Sequence, residues 1–162
     1  MLHNETRDGD SGAYESKAYW NIRGEEYYEY KGEMFYTVTP IPYYYRRRAL
    51  LLDVITPYLA DEDIDTVCDF GCGDGWYLRH FSDGFDRKRY YGVDLSDVMI
   101  ERAGNVCPVA QLRVSNAGIP FDQAFDLIYS IAVFAHVEDE DVVPLFSSIY
   151  EKLERGGAVY PL

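Results

Sequence analysis

The amino-acid sequence predicts an α/β protein: a doubly wound, mainly parallel sheet with helices on both faces. Two observations carry this expectation. From residue 66 onward, apolar runs of strand length alternate with helical stretches, the pattern of a parallel sheet joined by crossover helices. The first of those runs ends in a glycine-rich turn that leads straight into a helix, a connection that brings backbone amides to one edge of such a sheet. A chain of 162 residues is long enough for one core and short for two. The expected organisation is a loose N-terminus over residues 1–13, an aromatic-rich cover with the first helix over 14–60, and the α/β core over 61–162.

Residues 1–13 are polar and poor in large apolar groups. Between Tyr14 and Tyr58 lie ten of the sixteen tyrosines, together with Trp20 and Phe35, a density that predicts packed aromatic rings over the core. Leu50, Leu51, Val54, Ile55 and Tyr58 follow helical spacing, and Pro57 is expected to end or kink that helix. The run Arg46-Arg47-Arg48 opens it and reads as a solvated helix face, with an anion-binding patch for an acidic acceptor as the alternative.

After the acidic linker Asp61-Glu62-Asp63, Thr66 to Phe70 forms a strand that stops at Gly71-Cys72-Gly73-Asp74-Gly75, and Trp76 to Phe81 forms a short helix. Tyr90 to Val93 is a second strand ending at Asp94, and Ser96 is placed to N-cap the helix carrying Met99, Ile100 and Ala103. A third strand is expected from Val109 to Val114. Phe125 to Ser130 is apolar nearly throughout, as a strand covered on both faces should be. Val142, Leu145, Phe146, Ile149 and Leu153 mark an amphipathic helix, with Asp141 as N-cap and Pro144 in its first turn. Gly156-Gly157 is expected to close that helix, and Ala158-Val159-Tyr160 to begin another strand. Right-handed crossovers then gather the strand ends and their loops on one edge.

Eleven arginines and four lysines stand against 28 acidic residues, a net charge of -13 that repels a phosphate backbone and argues against a nucleic-acid partner. No stretch approaches the roughly 20 apolar residues of a membrane span, and Met1-Leu2-His3-Asn4-Glu5 lacks the pattern of a secretory signal. A soluble, cytoplasmic protein is the expectation. Cys68, Cys72 and Cys107 fit neither a disulfide framework nor a zinc site and are read as buried thiols, with no metal expected.

Chemistry concentrates at the glycine loop. Glycine permits the dihedrals of a tight turn and leaves no side chain between backbone and ligand. Asp94 follows about 20 residues later, where a doubly wound sheet sets a carboxylate beside the ribose of a bound nucleoside. A dinucleotide is disfavoured because Trp76 stands where its fingerprint wants a third glycine, and because Asp69 and Asp74 would repel a pyrophosphate. The same acids would attract a ligand bearing an ammonium and a sulfonium.

The segment Val67-Cys68-Asp69-Phe70-Gly71-Cys72-Gly73-Asp74-Gly75 resembles the first motif of the class I, seven-strand, Rossmann-like S-adenosylmethionine-dependent methyltransferases. Tyr91-Gly92-Val93-Asp94-Leu95-Ser96 resembles the second motif, Phe125-Asp126-Leu127-Ile128-Tyr129-Ser130 the fourth-strand motif, and Leu153-Glu154-Arg155-Gly156-Gly157 the loop before the fifth strand. The resemblance spans roughly residues 45 to 162. It implies that Asp69, Gly71, Cys72 and Gly73 surround the methionine portion, that Asp94 and Leu95 hold ribose and adenine, and that Asn116 and Ala117 meet the adenine edge. Ser130 and Ile131 would lie near the transferred methyl, and His136 could serve as a base for an acceptor that must lose a proton.

The implied activity is methyl transfer to a small-molecule acceptor such as a metabolite, natural product or sugar intermediate, with S-adenosylhomocysteine as product. A catalytically inactive, methyltransferase-like cofactor-binding or partner subunit is the alternative, and a nicotinamide oxidoreductase a third reading. The family fold usually continues through two further strands, so the resemblance implies a sheet lacking strands six and seven. Its strand-five edge would then be open to a second copy or a partner chain.

Overall fold

The computed structural model describes residues 16–25, 27–30, 33–36 and 41–162. The expectations for residues 1–13 and for Tyr14 lie outside them. In chain order the elements are α1 (Ser16–Glu25), β1 (Tyr27–Tyr30), β2 (Glu33–Tyr36), α2 (Ile41–Leu59), β3 (Thr66–Phe70), α3 (Trp76–Gly84), β4 (Arg89–Asp94), α4 (Asp97–Val106), β5 (Gln111–Val114), β6 (Phe125–Ser130), α5 (Asp139–Tyr150) and β7 (Leu153–Pro161). A short 3-10 turn, Phe134–His136, separates β6 from α5. β1 and β2 pair antiparallel as a separate hairpin.

The other five strands form one parallel sheet in the order β5-β4-β3-β6-β7. Strand order therefore reverses beside β3, and in a sheet of this kind the crevice for a ligand opens at the carboxyl ends of the strands at that reversal. β3 is buried along its whole length. Its alternation sends Val67 and Asp69 to one face and Cys68 and Phe70 to the other. On the first face Val67 packs with Ile55, Leu59, Leu78 and Leu127; on the second, Cys68 and Phe70 pack with Val93, Phe125, Ile128 and Ile149. Cys72 and Cys107 are buried free thiols like Cys68.

A polar latch holds β3 to β6. The Asp126 Oδ2 accepts from the amides of Asp65 (3.0 Å) and Thr66 (2.8 Å) and from Thr66 Oγ1 (2.8 Å), while the Asp126 amide donates back to Thr66 Oγ1 at 3.0 Å. Ser96 caps α4 as its position in the sequence suggests, its Oγ accepting from the Met99 amide at 3.2 Å. The same hydroxyl donates to Asn21 Oδ1 of α1 at 2.5 Å. Gly24 of α1 sits so near α4 that a Cβ there would lie 2.8 Å from Val98 Cγ1, and Lys17 pairs with Asp97 at 2.7 Å. α1 is thus seated on the start of α4.

Several boundaries differ from the expected ones. α2 runs through Pro57 to Leu59, because the proline falls in the last turn and removes only one intrahelical bond. Its inward stripe is Arg48, Ile55 and Leu59, all buried, with the half-buried Leu52 between them, while Leu50 and Val54 face outward. β5 begins at Gln111, with Val109 in the preceding turn. α5 starts earlier than expected: Glu138 is its N-cap, Asp141 lies inside, and Pro144 occupies the second turn. That helix ends at Tyr150, and Gly156-Gly157 lies within β7. There Gly156 adopts φ 96°, and a Cβ on Gly157 would press to 3.0 Å against the Phe125 and Asp126 carbonyls, where the β6–β7 register shifts. The glycines serve a bulge, and Leu153 pairs with Phe125 in the sheet. Among the described residues, no helix is long and apolar enough to cross a membrane.

Candidate functional site

The loop after β3 is built for close approach. Gly71, Gly73 and Gly75 all adopt positive φ (80°, 53° and 80°), which a side chain would strain. The amides of Gly71 and Cys72 donate to the Val93 carbonyl (2.7 and 2.9 Å), pinning the loop to β4. A Cβ at Gly71 would fall 2.0 Å from Val133 Cγ2, and one at Gly75 would fall 2.9 Å from Ala103 Cα. At Gly73 nothing lies within 4 Å, so this backbone is bare toward the cavity it lines. Trp76 then opens α3, its amide donating to Asp74 Oδ1 at 3.2 Å.

Asp94 is held before any ligand arrives. Its Oδ2 accepts from the Gly73 amide and its Oδ1 from the Ser96 amide, each at 2.9 Å. The carboxylate thereby ties the glycine loop to the end of β4 and leaves further lone pairs for a ligand.

Three carboxylates converge here. Asp69 is 2% exposed. Burial drives its carboxyl well above the usual range, the Asp94 and Asp74 charges push it further, and the Tyr129 hydroxyl beside it pulls it back. That hydroxyl is close enough to favour the anion, yet meets no described group in hydrogen-bonding geometry. Burial also raises Asp74 and Asp94, against the pull of backbone amides on both. Burial and the neighbouring Asp69 charge push the Cys72 thiol up, so it is no nucleophile at neutral pH. A cation placed among these acids would relieve their mutual repulsion.

Arginines of α2 reach the same cavity. Arg48, 7% exposed, lays its guanidinium 3.9 Å above the Trp76 ring centroid and lowers the Asp74 carboxyl through its charge. Arg47 stands beside it and acts on Tyr77. α1 adds Tyr19, Trp20 and Arg23, with Trp20 meeting His136 edge-on at 4.9 Å. Ala132, just past β6, holds φ 61°, an unusual value for a residue with a Cβ and a mark of a constrained site.

Together these groups enclose a cavity of about 1090 Å³ at the strand-order reversal. Asp69, Gly71, Cys72, Gly73, Asp94 and Leu95 line it from the first two connections. Asn116 and Ala117 line it after β5, and Ile131 and His136 after β6. Ser130 does not reach the wall; its side chain is buried at 1% exposure and its Oγ has no described partner. Arg48, read from the sequence as part of a solvated helix face, is instead buried on the cavity wall; the signal was its place seven residues before Ile55 and eleven before Leu59, on the apolar stripe of α2.

Residues 67–157 match the family model for a methyltransferase domain. Carboxy-S-adenosyl-L-methionine synthase of Nautilia profundicola is 26% identical over 122 residues, covering 72% of this chain and 51% of that protein. tRNA U34 carboxymethyltransferase of Shewanella loihica is 32% identical over 90 residues, covering 51% of this chain and 27% of that protein. The chain thus spans about half the length of the first relative and about a quarter of the second. Among solved structures, the DhpI complex with SAH superposes with a TM-score of 0.71 at 24% identity, covering 94% of this chain and 70% of that one. That likeness establishes the fold.

Proposed function

The chain belongs to the family of methyltransferase domains, and on that premise we propose that it binds S-adenosylmethionine and transfers its methyl group to a small-molecule acceptor. The observation that carries the proposal is the charge arrangement at the glycine loop: Asp69, Asp74 and Asp94 bordering a bare backbone, with the buried Arg48 stacked on Trp76 and acting on Asp74. An amino-acid terminus carries both an ammonium and a carboxylate, so it needs an acid and a base side by side. Asp69 suits the ammonium and Arg48 the carboxylate, Arg48 being held against the Trp76 face in a fixed orientation.

The remaining residues fit the nucleoside. Asp94, already oriented by the two loop amides, accepts from the ribose hydroxyls with its free lone pairs. Leu95 offers an apolar face to adenine, and Asn116 and Ala117 border its edge. When bound, the cofactor supplies an activated methyl on a sulfonium, which needs no further electrophilic assistance. The chain's own contribution is alignment of the acceptor with that methyl and exclusion of water. Ile131, the constrained Ala132 and the Trp20–His136 pair wall this region. His136 would take a proton only from an acceptor that must lose one.

Calorimetric titration of the purified chain with S-adenosylmethionine and S-adenosylhomocysteine, with NAD as control, tests the reading. Binding of the first two and not of NAD is expected. A folded protein that ignores both, or prefers NAD, refutes it.

A further inference from the structure

The acidic balance of this chain makes its arginines informative. Overall charge is -13, yet three arginines, Arg23, Arg47 and Arg48, line one cavity. Arg48 is committed to Trp76 and Asp74, and Arg23 donates from Nε to the Tyr19 hydroxyl at 3.1 Å. Arg47 differs. It is half-buried on the cavity wall and, among the described residues, forms no ion pair or hydrogen bond. A guanidinium withdrawn from water without a counter-ion is disfavoured unless something else supplies the negative charge.

Tyr77, one helical position past Trp76, lines the same cavity and feels the Arg47 charge. Burial raises the Tyr77 phenol to about 12, and Arg47 is the cation that acts on it most strongly. Its hydroxyl therefore keeps its proton at neutral pH, and it too has no described hydrogen-bond partner. A planar guanidinium and a neutral hydroxyl, both with donors unspent and both facing one cavity, make a receptor for a small oxyanion.

We propose that Arg47 and Tyr77 hold an anionic group, a carboxylate or a phosphate-type oxyanion, on the acceptor. The acceptor of this site is then a small acid. This rests on the methyltransferase reading for the word acceptor, though the anion subsite itself does not. The arrangement also explains how a chain of strongly negative charge admits a negative substrate: the attraction is local, and it lies next to acids reserved for the cationic end of the cofactor.

The probes are inorganic phosphate and acetate, titrated into the protein saturated with S-adenosylhomocysteine and followed by amide chemical shifts. Wild type is expected to bind at least one of them, with shifts at Arg47 and Tyr77, and more weakly as NaCl rises. Preference for phosphate or for acetate then tells the two kinds of acid apart. Arg47→Gln should weaken that binding at least tenfold while leaving the S-adenosylhomocysteine Kd within about twofold; Tyr77→Phe should weaken it less, and Arg47→Lys should restore part of it. Arg48→Gln should do the reverse, weakening S-adenosylhomocysteine through its amino-acid carboxylate and sparing the anion.

Absence of binding by either probe overturns the proposal. So does an Arg47→Gln variant that loses S-adenosylhomocysteine affinity tenfold, since the cation would then serve the cofactor. If S-adenosylhomocysteine itself fails to bind, the same anion titration on the free protein decides separately: Arg47-dependent binding keeps the anion subsite and discards the methyltransferase reading, and no binding discards both.

Discussion

Replacing Asp69 by Asn should move stability and cofactor affinity in opposite directions. The carboxylate is 2% exposed and faces two other acids, so its ionised form is costly in the free protein. The effective penalty for a buried ion is several kcal/mol, and the Tyr129 hydroxyl offsets only part of it. An isosteric amide removes the charge and should stabilise the fold by about 1–2 kcal/mol at neutral pH. For a chain of this length that is a Tm increase of about 2–8 °C by calorimetry. The same change removes the partner of a ligand ammonium, worth about 3 kcal/mol, or roughly a hundredfold in the S-adenosylmethionine Kd.

The pH dependence of Asp69 follows from the direction of its shift. Because burial raises the carboxyl above its ordinary 3.8, its penalty is complete above the raised value, shrinks as pH falls through it, and is gone below 3.8. Wild-type stability should therefore rise on mild acidification, and the gap to the Asn variant should close over the same interval. An Asn variant less stable than wild type at neutral pH, or a gap indifferent to pH, would refute the reasoning.

Gly73→Ala and Gly75→Ala should separate binding from folding. The first meets open space and costs only the left-handed backbone, about 1 kcal/mol, yet places a methyl where the ligand must lie; a tenfold or greater loss of S-adenosylhomocysteine affinity with only a few degrees of Tm is expected. The second drives a Cβ to 2.9 Å from the Ala103 backbone and should cost about 3 kcal/mol in denaturant titration. Asp126→Ala strands three donors and should destabilise by about 2–4 kcal/mol. Burial pushes the Asp126 carboxyl up but the Thr66 and Asp65 groups outweigh it, leaving it below 3.8; the latch is thus intact above that value and weakens as pH falls through the lowered one, where wild type and variant should converge. His136→Ala should leave the S-adenosylhomocysteine Kd within about threefold, since His136 meets the cavity against Trp20, after β6, and not on the glycine loop or at the end of β4.

What the sequence revealed was local. β3 matches its expected limits because it is a short, mostly apolar run bounded by Asp65 and Gly71, β6 matches its own as a strand-length, mostly apolar run that ends in Ser130, and the Ser96 cap is legible from one hydroxyl at the right offset. Gly156-Gly157 was misread because a glycine after a helical stretch looks the same whether it ends a helix or relieves a bulge; only the carbonyls of Phe125 and Asp126, some 30 residues away, distinguish them. Pro144 was misplaced for a related reason: Asp139, Glu140 and Asp141 are all plausible first-turn acids, and Glu138, which caps the helix, makes no side-chain capping bond. The three consecutive arginines looked alike, although adjacent residues point about 100° apart on a helix. Arg46 is exposed, Arg47 half-buried and Arg48 buried. At the site, the glycines were legible on one continuous strand-turn-helix and Asp94 at the end of the next strand, whereas the share of the wall from α1 and α2 depends on how those helices approach, a tertiary matter.

The seating of α1 has a kinetic consequence. Through Asn21 and Gly24 the helix rests on the residues following β4, and through Trp20 it touches His136 in the connection following β6. It therefore spans both sides of the cavity mouth like a clasp. Anything lodged beneath it leaves when the clasp parts, and what must part includes one hydroxyl–amide bond, a glycine contact, an edge-on ring pair and an exposed Lys17–Asp97 pair of small worth. Changes at Asn21 or Gly24, which loosen α1 without removing its cavity-lining side chains, are then expected to speed the dissociation of S-adenosylhomocysteine.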